Sequence, residues 1–252
     1  SLTQKREANA FVDVITAEDV GMTDVDMTVI ARRTRHVSGL PVASGAAGGN
    51  PGPSTARGVY LGMRAAVRHK LGRERFEGLH VAIQGVGSVG GALARMLAAD
   101  GARLTLADVD ETRASALAAE LGARHVGSDS ILATSADVLA PCALGAIFNE
   151  TNIQKLDVAV VAGAANNQLA TPADGQRLFD RGILYAPDYV INAGGIINVA
   201  AEYLGDGDAD AVARRIEAIE PRLEAIFKDS AQTRRPTDVV ADAMARKLIG
   251  RA

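Results

Sequence analysis

From residue 79 onward, short continuously apolar runs alternate with longer stretches whose apolar residues recur every three or four positions. LHVAIQ (79–84), RLTLAD (103–108), DVLA (137–140), DVAVVAG (157–163) and GILYAP (182–187) are apolar nearly throughout, the pattern of strands buried on both faces. Between the first runs lie Ala- and Leu-rich segments with helical spacing. One runs from Ser88 to Asp100 and stops at Gly101, and ETRASALAAEL (111–121) stops at Gly122. Strands alternating with helices predict a parallel sheet joined by right-handed crossovers and covered on both faces. The fold class expected is α/β, a Rossmann-type doubly wound sheet.

The flanks read differently. Residues 1–50 are mixed and run into SGAAGGNPG (44–52), a loop or hinge by its Gly and Pro content. Pro53-Ser54 opens a predicted helix to Leu71, with Ser54 as N-cap and Gly72 as the residue beyond its end. The last fifty residues predict two helices. Val212, Ile216, Ile219, Leu223 and Ile226 form one apolar stripe, in which Pro221 bends or restarts the helix. A second helix runs from about Thr237 to Leu248.

Composition narrows the partners. The 252 residues are 48% hydrophobic and 23% charged with a net charge of −3, and no basic tract gathers. A main partner among nucleic acids or acidic membranes is therefore not expected. Cys142 is the one cysteine, so no internal disulfide or Cys-rich metal site is expected. No apolar run reaches the length of a bilayer span, and a cytoplasmic protein is the expectation.

The strongest local motif is Gly85-Val86-Gly87-Ser88-Val89-Gly90, which directly follows a predicted strand and opens a predicted helix. Such a loop suits a dinucleotide. Gly85 permits the turn, Gly87 lets backbone approach a pyrophosphate, and Gly90 allows close helix packing, while the helix N-terminus attracts the anion. Asp108 ends the next strand, 18 residues after Gly90 and close to the usual spacing of about 20 for the residue that binds the adenosine ribose. A carboxylate there disfavours a 2′-phosphate, so NAD is the expected cofactor. The plainer alternative is that Asp108 caps the helix that follows.

Longer strings go beyond a cofactor fold. VITAEDVGMTDVDM (14–27), GNPGPSTARGV (49–59), APCALGAI (140–147), VVAGAANNQLA (160–170) and LYAPDYVINAGGIINVA (184–200) resemble the leucine/phenylalanine/valine dehydrogenase family, in order along the chain. The resemblance implies NAD-dependent interconversion of an L-amino acid and its 2-oxo acid plus ammonia, with a leucine-like substrate preferred and a homo-oligomeric assembly. It implies a catalytic role for Asp19, relaying protons beside the substrate amine. It places Thr55, Asn166 and Asn192 near the nicotinamide, where an amide offers both donor and acceptor. Cys142 becomes a small residue in a loop passing the ring. Ile196, Ile197 and Val199 either line an aliphatic pocket or are core. Without the resemblance, Asp19 reads as a turn cap and the asparagines as turn formers.

The family's chemistry also calls for lysines in a domain that precedes the string holding Asp19. Lys5, Lys70, Lys155, Lys228 and Lys247 stand in no such string, so the chain is expected to bind NAD without the full catalytic set. Residues 1–45 then read as a remnant of the substrate domain, 46–205 as the NAD-binding domain and 206–252 as C-terminal helices. The alternative is a non-catalytic NAD-binding module acting as a sensor or subunit.

Overall fold

The five apolar runs each contribute a strand: β1 (His80–Gln84), β2 (Arg103–Ala107), β4 (Val138–Pro141), β5 (Val160–Val161) and β6 (Leu184–Tyr185). A sixth strand, β3 (Arg124–His125), gives no apolar signal. It is two residues long, half-buried or exposed, and lies on the sheet edge beside β2. All pairings are parallel, in the order β3-β2-β1-β4-β5-β6. That order reverses between β1 and β4, the topological switch of a doubly wound sheet. The expected α/β Rossmann-type fold is the one observed.

The computed structural model describes residues 16–17, 22–41, 48–205 and 208–250. It divides into two compact units. One comprises residues 1–51 with 198–212, and the other residues 52–197 with 213–252. The sheet belongs entirely to the second.

In the sheet unit the helices are α2 (Gly52–Leu71), α3 (Ser88–Ala99), α4 (Glu111–Leu121), α5 (Glu150–Lys155), α6 (Pro172–Asp180), α7 (Asp188–Ile191), α10 (Ile219–Thr233) and α11 (Thr237–Leu248). One sheet face carries Ala82, Ala107, Leu139, Val161 and Tyr185 against Phe148, Ile153 and Leu178, all buried. Helix α2 packs on α3 and α10, and α3 also packs on β1 and β2. Both faces are thus covered, which is why the strands are apolar throughout rather than alternating.

Two helix expectations are corrected. Helix α2 begins at Gly52, so Ser54 is its third residue and not the N-cap. Pro53 fits that first turn because its N–H would have no partner there. At the other end Gly72 follows α2 at φ +63, as expected. The C-terminal stripe is split between α9 (Ala209–Glu217) and α10, so three helices stand where two were predicted. The stripe residues are all buried nonetheless. Pro221 is the third residue of α10, where a missing N–H costs nothing, so it sits in a restarted helix rather than a bent one.

The smaller unit contains α1 (Asp24–Ala31), opened by a reciprocal cap between Thr23 and Asp26. Thr16 and Val37 form a parallel bridge. The end of α8 (Gly194–Leu204) is tied to Gly39, Leu40 and Gly48. Glu202 accepts the N–H groups of Gly39 and Leu40 at 2.7 and 3.1 Å. Asn198 both accepts from and donates to the backbone of Gly48.

Candidate active site at the carboxyl edge of the sheet

Because every pairing is parallel, all strands deliver their C-terminal loops to one edge. The register sets Gln84 beside both Ala107 and Pro141, so the loops after β1, β2 and β4 start level with each other. The Gly85 N–H donates to Ala107 O at 2.7 Å and the Cys142 N–H to Gln84 O at 2.6 Å, carrying the pairing one residue beyond the strands.

In the glycine loop the three glycines have three different physical reasons. Gly85 has φ +88, and a β-carbon there would also stand 2.9 Å from the backbone N of Ala143. At Gly90 a β-carbon would lie 1.9 Å from Gly85 O, so the start of α3 packs directly on the turn. Gly87 faces open space, with nothing within 4 Å of an added β-carbon. Only there does the missing side chain leave room rather than relieve a clash. Gly87 also caps α3 without a side-chain hydrogen bond, leaving the first turn of that helix to other acceptors. Val86 and Gly90 are buried, Val89 is half-buried, and Gly87 and Ser88 are exposed. Open space at Gly87, beside a helix N-terminus, leaves room for a pyrophosphate.

Asp108 is buried just past β2. Its Oδ2 accepts the Val86 N–H at 2.7 Å, and its Oδ1 accepts the Asp110 N–H and Arg113 at 2.9 Å each. Burial alone would raise its pKa, but the two N–H groups and the Arg113 guanidinium outweigh it and hold the carboxyl below the usual range. The N-cap of α4 is Asp110, which accepts from the Arg113 N–H. Asp108 therefore ties the glycine loop to the end of β2 rather than capping the helix. Arg113 escaped the sequence reading because nothing in DVDETR indicates that it folds back onto Asp108.

The loops after β4 and β5 are stitched together. Ala165 N–H donates to Pro141 O, Ala146 N–H to Asn167 O, and Phe148 N–H to Gln168 O. Ala164 N–H reaches the Cys142 thiol, whose pKa burial pushes up to about 11. Among the described residues no histidine is paired with it, and Cys142 stands in the loop directly after β4.

Asn166 and Asn192 come together here from 26 residues apart. The Asn192 Nδ2 donates to Ala164 O at 3.1 Å and to Asn166 Oδ1 at 2.6 Å. The contact to Ala164 O fixes the orientation of Asn192, and Asn192 in turn fixes that of Asn166. Left over are a donor, Asn166 Nδ2, and an acceptor, Asn192 Oδ1. A primary carboxamide presents the complementary acceptor and donor. Asn192 is the C-cap of α7, so the expected turn-forming role and this pairing coexist.

Thr55 sits half-buried in the first turn of α2, where a β-carbon on Gly194 would approach within 3.2 Å of its Cα. Ile196 is 66% exposed, Ile197 half-buried and Val199 buried, so the three do not act as one apolar surface. Asp19 lies outside the described residues. Among the described residues, no group of three His, Cys, Asp or Glu side chains could hold a metal ion, and no helix is long and apolar enough to cross a membrane. An apolar hollow of about 280 Å³ is lined by residues including His69, Phe179, Leu184 and Phe227, and by none of these loops. Chemistry, not concavity, marks the candidate site.

Known proteins similar to this chain in sequence and fold are amino acid dehydrogenases. The leucine dehydrogenase of Thermoactinomyces intermedius is 45% identical over 235 residues, which is 93% of this chain and 64% of that protein. That of Geobacillus stearothermophilus is 44% identical over the same shares. The chain thus spans somewhat less than two thirds of the length of these relatives. The crystal structure of L-tryptophan dehydrogenase from Nostoc punctiforme superposes with a TM-score of 0.82 at 36% identity, covering 99% of this chain and 73% of that one. Residues 105–247 match the Glutamate/Leucine/Phenylalanine/Valine dehydrogenase family, more than half of the chain, and with these relatives the match shows that the chain belongs to that family.

Proposed function

We propose that the protein catalyses the NAD-dependent oxidative deamination of an L-amino acid to its 2-oxo acid and ammonia, with a branched-chain, leucine-like substrate preferred over an aromatic one. The observation that carries the cofactor half is the open space at Gly87 beside a helix N-terminus, with the Asp108 carboxylate at the end of the next strand. In this reading the turn at Gly85 and Val86, whose own N–H groups are taken by Ala107 and Asp108, sets the loop so that backbone N–H groups between Gly87 and Gly90 hold the pyrophosphate. Asp108 accepts the adenosine ribose hydroxyls, after Arg113 gives way, and disfavours a 2′-phosphate. Asn166 Nδ2 and Asn192 Oδ1 hold the carboxamide of the nicotinamide, with Thr55 and the Cys142 loop alongside. What the dinucleotide supplies when bound is a hydride acceptor for the substrate Cα.

Asp19 is assigned the proton relay between the substrate amine and water. The leucine preference rests on the leucine dehydrogenases among the relatives, and the tryptophan dehydrogenase marks the aromatic alternative. A homo-oligomer is part of the proposal.

The test is a fluorescence titration with NADH, followed in the same sample by turnover assays with leucine, valine and phenylalanine. Saturable NADH binding, at least tenfold tighter than that of NADPH, is expected. Binding without turnover by these 252 residues is the expected second result, and turnover by the full gene product would then separate an enzyme from a non-catalytic NAD-binding module. Turnover by this chain would show that one of its own residues supplies the base expected of a lysine. Absence of NADH binding would sink the proposal.

A further inference from the structure

We infer that Gln168 and Asp188 are positioning residues that set the geometry of the Asn166–Asn192 pair, an inference that rests on the nicotinamide reading above. Gln168 is completely buried. Its Nε2 donates to Gly163 O at 3.0 Å and to Ala165 O at 2.9 Å. Asn192 takes the carbonyl between them, Ala164 O, at 3.1 Å. Three consecutive carbonyls of the loop after β5 are therefore drawn inward by two side-chain amides. Asn166 follows directly on that braced stretch.

Asp188 closes the arrangement from the other side. It is buried, and its Oδ2 accepts the Gln168 N–H at 3.4 Å while its Oδ1 accepts the Tyr185 hydroxyl at 3.1 Å. It opens α7, whose C-cap is Asn192, and the Asn192 N–H donates to Asp188 O at 2.9 Å. The Gln168 carbonyl also accepts from the Phe148 N–H, joining the loop after β4. Each asparagine of the pair is thus one short step from this buried pair, and a shift of either brace moves an amide at the open edge.

Stability alone does not call for this design. The Gln168 Oε1 is buried without a hydrogen-bond partner. A methionine would fill nearly the same volume without burying an unsatisfied carbonyl. What glutamine adds is the pair of donors that holds the Gly163 and Ala165 carbonyls and so orients the loop.

The experiment compares two ligands on the chain as it stands. NADH reads both halves of the site, whereas ADP-ribose carries the adenosine, pyrophosphate and ribose without the nicotinamide. Gln168→Met is expected to weaken NADH at least tenfold, to reduce the blue shift of bound NADH emission, and to leave ADP-ribose affinity within about twofold. Amide exchange of residues 163–167 should quicken while that of residues 85–90 does not. Asp188→Asn, which keeps the shape and replaces one acceptor by a donor, serves as a second variant should Gln168→Met fail to fold, and should show the same split. Parallel loss of both ligands would mean a merely structural role and overturns the inference, as does no loss of either. A wild-type chain that binds ADP-ribose but gains nothing from the nicotinamide half overturns the nicotinamide reading itself, a result distinct from any variant's behaviour.

Discussion

The glycine loop after β1 and the asparagine pair after β5 and α7 stand on the same edge of one sheet, yet they are built in opposite ways. The loop is local. Six consecutive residues form the turn, the gap and the helix start, and one outside side chain, Asp108, fastens it. The asparagine pair is assembled from distant segments. Its two members are 26 residues apart and are oriented by a carbonyl and a buried glutamine on one piece of chain and a buried aspartate on another. The local site therefore depends on which side chains are missing. The assembled one depends on which hydrogen bonds are made.

The sharpest test of the local half uses two of its own glycines. Gly90→Ala should cost about 3 kcal/mol of stability, because its β-carbon would meet Gly85 O at 1.9 Å. Gly87→Val should leave the fold nearly unchanged, because its β-carbon meets nothing within 4 Å. Its NADH affinity should nevertheless fall by more than about a hundredfold, since the branch fills the place of a pyrophosphate. Thermal melts and NADH titrations of both variants check this. An unstable Gly87→Val, or one with full affinity, would refute the division of labour between the glycines.

Asp108 joins the two kinds of construction, being distant in sequence but bound to the loop. Asp108→Ala should weaken NADH about tenfold and narrow its advantage over NADPH, the loss of a charge-assisted pair of hydrogen bonds. Unchanged titrations with both nucleotides would remove it from the ribose site. The same carboxylate predicts a pH effect. Its folded pKa lies below the unfolded value of about 3.9, so its stabilisation is complete above that value and is lost as pH falls through the folded one. Asp108→Asn should therefore show a shallower fall in melting temperature below about pH 4 than the wild type. Parallel curves would mean that Val86, Asp110 and Arg113 give the carboxylate no net preference in the folded state.

The contrast also explains what could be read in the chain. Strands β1, β2 and β4, the glycine loop, and the ends of α3 and α4 follow from apolar runs and glycines whose effect is confined to a few residues. Strand β3 did not, because a two-residue edge strand needs no apolar side chains. The break between α9 and α10 was hidden because the apolar stripe continues across Ala218. In the site, Asp108 was legible from its spacing. The asparagines were legible only through the resemblance of whole strings. Arg113, Gln168 and Asp188 were legible in neither way. Their partners are backbone atoms, the Asp108 carboxylate and the Tyr185 hydroxyl, brought into place only by folding, and such pairings leave no period in the sequence.

Cys142 provides the gentlest probe of the assembled half. Its thiol accepts the Ala164 N–H and so links the loops after β4 and β5, but its pKa is pushed up to about 11. At pH 8 only about one thiol in a thousand is then ionised, far fewer than for an ordinary cysteine. Reaction with a disulfide reagent at that pH should accordingly be on the order of a hundredfold slower than with a free thiol, and should quicken steadily up to pH 11. Cys142→Ser should change NADH affinity by less than about threefold, because a hydroxyl can still accept from Ala164. Fast labelling at pH 8 would mean that the loops part often enough to expose the sulfur. The stitching between them would then be too loose to hold the asparagines in register, and the assembled half would have to be ordered by its ligand instead.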